Sequence, residues 1–390
     1  MLIRAFVFTI AMLGSYLSYA YPNFIGKGYH NCLTCHYNPY GNGPLNDYGR
    51  GVAASGISDR AFISKKISDE KLSDISGFYF NKPTKKSYIK PSLDYRGLYL
   101  KRDLQTDDPQ TNWINMQMDA SVVLELGKKK QYTVTYTHSF VPDNSLPAGH
   151  AMFDVAPGEH LNFSREHYIG YKMNKSMSVY LGKMDKVFGI RVPDHTAFSR
   201  TKTGNGQYDA THGVVGHLTK EKFDLGVQVF MGDFEKESVY RSQGLSSKFE
   251  YSVNEKLRAG ISVLHEEFDA KTNTAYAIIS KIGIGKGSSV MLEFGRVNVS
   301  TTSASPITQQ YIFLQNHYYL RRGLYFMTTY EQFIDDVSGA SEEHRISPGI
   351  QYFPWQRLEI RADLTNNKSY GTNVAVKDSW TFLGQVHLWF

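Results

Sequence analysis

Long apolar runs are missing from this chain of 390 residues. After residue 20 none reaches the roughly 18 residues that a membrane-spanning helix needs, which excludes a helical membrane protein. Cysteine is nearly absent, with two in the whole chain, so no disulfide scaffold exists and the spacing of the pair has to carry its meaning. A dominant charge is also lacking: 43 Lys and Arg face 37 Asp and Glu. With 14% aromatic and 21% charged residues the chain is neither disordered nor collagen-like. Long helical patterns are few. A membrane β-barrel survives all of these exclusions, because its strands hide their apolarity in alternation. The 27 Tyr and 23 Phe agree with it.

Residues 1–20 read as a secretory signal peptide. Arg4 supplies the basic start, Ala5 to Leu13 the short apolar stretch, and Ser18 and Ala20 the small residues at −3 and −1 before Tyr21. An N-terminal anchor competes with this reading, but the stretch is short for a span. Loss of Arg4 lowers the formal net charge from +6 to +5. Export of the mature chain argues against nucleic acid as a partner for that charge.

The chemistry is concentrated in residues 21–58. Cys32-Leu33-Thr34-Cys35-His36 is the C-x-x-C-H pattern of c-type haem attachment. Two thiols three residues apart reach the two vinyl groups on one porphyrin edge, and the following His is carried under the ring as axial ligand. Glycines and prolines between Gly26 and Pro44 let backbone approach a flat ligand closely. Phe24, Tyr29, Tyr37, Tyr40 and Tyr48 can pack on it. The expected cofactor is therefore one covalent haem c, held by thioethers to Cys32 and Cys35 with His36 on the iron. Two other readings use the same residues. One is a Cys32–Cys35 redox disulfide, which has no use for His36. The other is a zinc site of His30, Cys32, Cys35 and His36, in which adjacent Cys35 and His36 would have to face one tetrahedral ion.

The sixth iron ligand is open. No Met occurs from residue 21 to 115, and the only other His there is His30, two residues before the first thioether. The segment cannot supply a Met ligand by itself, so the distal position is open, water-bound or filled from the rest of the chain. Residues 59–87 are polar, with an amphipathic helix expected over Asp59 to Ile75 through Ile63, Ile67 and Ile75. A linker is expected at Asn81 to Lys86.

From Tyr88 to Phe390 the sequence alternates with period two. Tyr132, Val134, Tyr136 and Phe140 oppose Thr133, Thr135, Thr137 and Ser139; Phe223, Leu225, Val227, Val229 and Met231 oppose Asp224, Gly226 and Gln228. About sixteen such segments can be marked over 88–390. Even-numbered connections are short, as at Gly127-Lys128-Lys129, Asn174, Lys220-Glu221, Asn254, Gly285-Lys286, Arg321 and Trp355. Odd-numbered ones are longer, as at 142–160 and 190–210. An even number of strands with short turns on one side is the signature of an outer-membrane antiparallel β-barrel. A soluble β-sandwich also alternates but seldom keeps this loop rhythm. The chain ends on Phe390 inside its last strand, like the aromatic end by which barrel-assembly machinery recognises such proteins. Lys and Arg at the short turns put much of the positive charge on the periplasmic rim.

A signal peptide, one C-x-x-C-H segment and then a barrel of this size resembles the fused monohaem cytochrome c–porin family known from iron-oxidising bacteria. Pro22 and Phe24 before the motif, and Pro44-Leu45-Asn46-x-Tyr48-Gly49 after it, look like that family's pattern. The insert Asn38-Pro39-Tyr40-Gly41-Asn42-Gly43 is not part of it, which leaves the electron donor open. The resemblance implies an electron conduit in the bacterial outer membrane, with haem in the periplasm or inside the barrel lumen. Its partners would be outer-membrane lipid, the assembly machinery and a periplasmic electron carrier. Two alternatives stand beside it: a diffusion porin with an accessory haem, and a soluble periplasmic β-rich cytochrome. No acid–base or nucleophile constellation supports an enzyme. Asp107-Asp108, Asp335-Asp336 and Glu342-Glu343-His344 read as solvated loop charges.

Overall fold

The computed structural model describes residues 22–41, 43–63, 66–78, 87–142, 160–194, 196–339, 341–371 and 377–390. The signal peptide and the Asn81–Lys86 linker lie outside the described residues.

Sixteen antiparallel strands close into one barrel, each bonded to the next and β16 to β1. They are β1 (Ile89–Lys101), β2 (Thr111–Leu126), β3 (Tyr132–Val141), β4 (Leu161–Lys172), β5 (Met177–Met184), β6 (Thr211–Thr219), β7 (Phe223–Phe230) and β8 (Gln243–Ser252). Then follow β9 (Leu257–Glu267), β10 (Lys271–Gly285), β11 (Ser288–Thr301), β12 (Ala304–Arg321), β13 (Leu324–Ile334), β14 (Glu342–Trp355), β15 (Leu358–Tyr370) and β16 (Lys377–Trp389). Phe390 exchanges backbone hydrogen bonds with Leu93 at 2.9 and 3.0 Å, so the last residue seals the β1–β16 seam.

The barrel is built inside out. On β3, Tyr132 and Tyr136 stand exposed on the outer wall while Thr135, Thr137 and Ser139 are buried in the lumen. On β7, Val227 and Val229 face outward, and Asp224 and Gln228 inward. An apolar outer face and a polar, hydrogen-bonded interior suit a wall with lipid outside. A soluble sandwich requires the reverse, so the soluble cytochrome reading does not fit this wall.

Two ladders carry bulges that matter below. Arg96 pairs with Gln117 and Gly97 with Asn115, which leaves Met116 as an extra residue in β2. Thr137 pairs with Glu166 and His138 with Ser164, which leaves Arg165 extra in β4. A bulge re-aims the side chain it adds. Both side chains line the lumenal cavity.

Three expectations need correction. Strand β5 stops at Met184, well before residue 189, because the chain from Asp185 to Asp194 turns into the lumen. Not all odd-numbered connections are long: 268–270 and 302–303 are as tight as the short turns, and the residues they save lengthen β10 to β12. Glu342, Glu343 and His344 are strand residues of β14. His344 lies 3.0 Å from Tyr330 Oη and Glu343 pairs with Lys202 at 3.5 Å.

Residues 185–194 and 196–210 lie in the lumen on a stair of carboxylates. Glu266 on β9 receives the Lys186 ammonium at 2.5 Å, Glu293 on β11 accepts the Ile190 N–H at 2.5 Å, and Glu331 on β13 accepts the Phe198 N–H at 2.6 Å. Phe188 and Phe198 then pack against Phe230, Leu264, Val297, Tyr311 and Phe333 on the wall.

Candidate functional site

The N-terminal segment enters the barrel from the short-turn mouth. Helix α1 (Pro22–Ile25) sets Phe24 against Tyr325 and Phe353, and Ile25 against Ile190 and Val192 of the inward loop. Plug and loop therefore meet inside the lumen. Gly26 accepts the Gly287 N–H at 2.9 Å, and a Cβ on Gly26 would lie 2.1 Å from the Gly287 carbonyl carbon. No other residue fits there.

The rim charge has a use. Arg321 pairs with Asp59 at 2.6 Å, Arg322 donates to the Ser58 carbonyl at 2.8 Å and pairs with Asp69 at 3.1 Å, and Arg357 donates to the Gly77 carbonyl at 2.6 Å. Such half-exposed pairs contribute about 0–1 kcal/mol each. Each buried aromatic or aliphatic side chain contributes about 1.5–3 kcal/mol, so Phe24, Ile25, Ile57 and Leu72 hold the plug more firmly than the rim pairs do. The amphipathic helix is shorter than expected. Helix α3 covers Asp69–Asp74 alone, capped by Ser68 Oγ accepting the Lys71 N–H at 3.2 Å, and its buried anchor is Leu72. Residues 59–61 are not helical, with the Asp59 and Ala61 N–H groups donating to the carbonyls of Phe353 and Pro354.

Cys32–Thr34 form one 3-10 turn. The Cys35 and His36 N–H groups both donate to the Cys32 carbonyl, at 3.0 and 2.9 Å, which draws Cys32, Cys35 and His36 to one side. Asn31 caps the turn by accepting the Leu33 N–H at 2.9 Å. Its amide donates to Thr219 Oγ1 at 2.8 Å and Asp224 Oδ2 at 2.9 Å on the barrel. Behind the turn, residues 44–50 fold back as a brace. His36 bridges Leu45, the Asn46 N–H donates to the Cys35 carbonyl at 2.9 Å, and the Asn46 amide reaches the Thr34 carbonyl at 3.2 Å. Asn46 also caps helix α2 (Asp47–Val52) by accepting the Gly49 N–H at 2.8 Å. A Cβ on Gly49 would stand 2.3 Å from the Cys35 oxygen, so only glycine lets the helix lie this close.

Residues 38–41 and 43 press on the wall. Asn38 donates to Glu166 Oε2 at 3.1 Å, and the buried Tyr40 ring meets His217 edge-on at 5.8 Å. Gly41 and Gly43 hold φ of +85° and +64°. A Cβ on Gly41 would come 3.1 Å from Cys32 Sγ, and one on Gly43 1.7 Å from Glu166 Oε1.

Cys32, Cys35 and His36 line one lumenal cavity with Gly41, Gly43 and Leu45. His36 Nδ1 lies 3.3 Å from the Gly43 carbonyl; donating there requires the proton on Nδ1, so Nε2 carries the lone pair a metal needs. The two cysteines are not joined. Burial, with Cys32 beside it, pushes the Cys35 thiol up to about 12. His30 lies on the cavity too, its Nε2 3.2 Å from the Glu255 carbonyl, and burial lowers its pKa. Among the described residues no three His, Cys, Asp or Glu side chains converge as a metal set. Covalent haem c fits what is present: two thiols and an oriented imidazole at one cavity, with glycine where a side chain would crowd Cys32.

Residues that sequence reasoning missed come from the wall and the loop. Met116, Arg165, Arg191, Arg200, Lys248, Met291 and His387 line the same cavity. His387 is engaged on both ring nitrogens, by Glu359 at 3.0 Å and Asp94 at 3.2 Å. A second cavity, the outer vestibule, is lined by Arg102, Trp113, Asp194, Tyr208, Arg345 and Arg361 among others. It shares Met116 and Gln207 with the first, and Gln207 donates to the Met116 carbonyl at 3.1 Å.

The barrel is similar to solved outer-membrane proteins. A loop L8 deletion mutant of OmpT, an outer membrane protein of Vibrio cholerae, matches over 77% of this chain and 99% of its own at TM-score 0.62 and 11% identity. The anion-selective porin from Comamonas acidovorans matches over 77% and 99% at TM-score 0.56 and 11% identity. OprB of Pseudomonas putida matches over 80% and 96% at TM-score 0.59 and 11% identity. At these identities the likeness carries the fold alone. No protein-family model and no curated sequence matches the chain.

Proposed function

We propose that this chain is a plugged outer-membrane barrel that carries one haem c in its lumen. It would pass electrons between a carrier at the periplasmic, short-turn mouth and a small partner entering from the outer vestibule. One observation carries the reading: Cys32, Cys35 and His36 line a cavity inside the lumen that abuts the outer vestibule at Met116 and Gln207. Cys32 and Cys35 would hold the porphyrin through thioethers, and His36 would ligate the iron through Nε2. When bound, the haem supplies a one-electron Fe(III)/Fe(II) change. Asn31, Asn38 and Asn46 are positioning residues that fix the turn to barrel and brace. The outer vestibule would admit a small donor or acceptor to the edge of this cavity at Met116 and Gln207.

The test is electron transfer across a sealed vesicle. Purified protein is reconstituted with an oxidised dye inside and a reductant outside. Dye reduction that is lost in Cys32→Ala/Cys35→Ala supports the reading; equal reduction in both contradicts it.

A second reading has its own support. The barrel shares its fold with porins, one of them described as anion-selective, and cations outnumber carboxylates on the inner cavity. A diffusion porin of this kind would conduct with the plug in place. Planar-bilayer conductance of the intact chain at the level of an open porin would favour it over the conduit.

A further inference from the structure

The inner cavity carries more positive charge than its own carboxylates neutralise. Arg96, Arg165, Arg191, Arg200, Lys248 and Lys281 all reach it. The two lysines are matched by Glu250, at 3.6 and 2.5 Å, and Arg191 by Asp185 at 2.6 Å. Arg200 is different. It is 5% exposed, its Nε donates to the Asn205 carbonyl at 3.1 Å and its Nη1 to the Val192 carbonyl at 2.8 Å. Among the described residues no carboxylate lies within ion-pair distance of it, and its Nη2 is buried with no hydrogen-bond partner. Burial and the neighbouring Arg191 lower its pKa to about 9.

Arg165 on β4 has a carboxylate partner, unlike Arg200, but shares its unpaired nitrogen. The β4 bulge adds it beside Glu166, it is 7% exposed, and its Nε donates to Asp119 Oδ2 at 2.8 Å. Its Nη2 too is buried without a partner. Arg96, across from the Met116 bulge on the neighbouring strand, has an unpartnered buried Nε. A buried guanidinium N–H left unpaired costs more than a neutral one, because the group cannot shed its charge cheaply. Three such groups on one cavity point to a missing anion with several acceptor oxygens, and the planar guanidinium fork matches a carboxylate best.

We propose that Arg165 and Arg200, supported by Arg96, form a carboxylate-binding subsite in the lumen, whose occupant is the carboxylate edge of the porphyrin attached at Cys32 and Cys35. The occupant rests on the haem reading given above; the subsite does not. A small soluble carboxylate arriving through the outer vestibule offers the same chemistry, and the test separates the two.

The full-length barrel is compared in haem-loaded form and as Cys32→Ala/Cys35→Ala, with succinate as probe and the thermal unfolding midpoint as readout. Succinate should raise the midpoint of the haem-free form. That rise should vanish in Arg200→Gln and Arg165→Gln backgrounds and return in part with Arg200→Lys. The haem-loaded form should show no succinate effect, and Arg200→Gln there should shift the reduction potential downward, since a cation near the iron has been lost. A succinate effect of equal size in both forms overturns the porphyrin as occupant. No Arg-dependent succinate effect in the haem-free form overturns the subsite. Absence of haem from the wild-type chain is read separately, from its pyridine haemochrome spectrum. It sinks the occupant but leaves the succinate arm to decide the subsite.

Discussion

Asn31 donates to Asp224 Oδ2 at 2.9 Å while accepting the Leu33 N–H at 2.9 Å, so one side chain both shapes the cysteine turn and fastens it to the barrel. Asp224 in turn lies 3.0 Å from His217 Nε2, whose ring packs on Tyr40. Losing an N-cap costs about 1 kcal/mol, and losing a hydrogen bond to a charged group about 1.5–3 kcal/mol. Asn31→Ala is therefore expected to loosen the plug locally, and Asn31→Asp more so, since it sets a second carboxylate against Asp224. Protease added at the short-turn side should cleave the plug faster in the order wild type, Ala, Asp. Equal cleavage of all three would contradict the anchoring role.

Apolar contacts hold the plug more than rim charges do. Phe24→Ala should weaken it by about 3 kcal/mol, the range for emptying a buried aromatic site, and Arg322→Ala by no more than about 1 kcal/mol. Single-channel conductance reads the difference. Frequent openings are expected in Phe24→Ala, few in Arg322→Ala, and a permanently larger pore after deletion of residues 22–78. A deletion that conducts no better than wild type would contradict a plug inside the lumen.

The inward loop depends on Glu293, which accepts the Ile190 N–H at 2.5 Å and the Tyr311 hydroxyl at 2.6 Å. Glu293→Ala leaves both donors buried and unpaired, at about 1–3 kcal/mol each. In the plug-deleted barrel this change should enlarge the conductance further. An unchanged value there would mean that the loop does not restrict the lumen.

Deleting Phe390 removes its backbone pairs with Leu93 and the ring that Arg357 overlies at 5.5 Å. The yield of folded, heat-modifiable barrel should fall several-fold, with haem attachment untouched. Full barrel yield would contradict a closing role for this residue.

Much of the wall was legible because period-two alternation is a local signal. The expected segment 211–219 coincides with β6, and most other ends fall within three residues. The inward loop was not legible. The expected strand runs on to residue 189, but Lys186 is drawn off the wall by Glu266 and the Val187 N–H by Gln228 Oε1, partners 80 and 41 positions on that no local pattern announces. The C-x-x-C-H spacing singles out Cys32, Cys35 and His36, but the brace was not legible: Asn46 and Gly49 stand out only through a family likeness, and their bonds to Cys35 and Thr34 carry no sequence mark. The wall side of the cavity was not legible either, since Met116 and Arg165 reach it through bulges, and a bulge leaves no mark in a two-residue repeat. The short helix at Asp69 was overextended for a similar reason: Asp59 and Ala61 pair with Phe353 and Pro354, distant carbonyls that override local periodicity.

The central claim is covalent haem at Cys32 and Cys35, and the pyridine haemochrome spectrum of the purified outer-membrane protein tests it most directly. A c-type spectrum at one haem per chain is expected, with haem staining somewhat below the 44.3 kDa of all 390 residues once the signal peptide is removed, and loss of both in Cys32→Ala/Cys35→Ala with the barrel still folded. A folded wild-type barrel without a c-type spectrum, or staining that persists in the double variant, would contradict it.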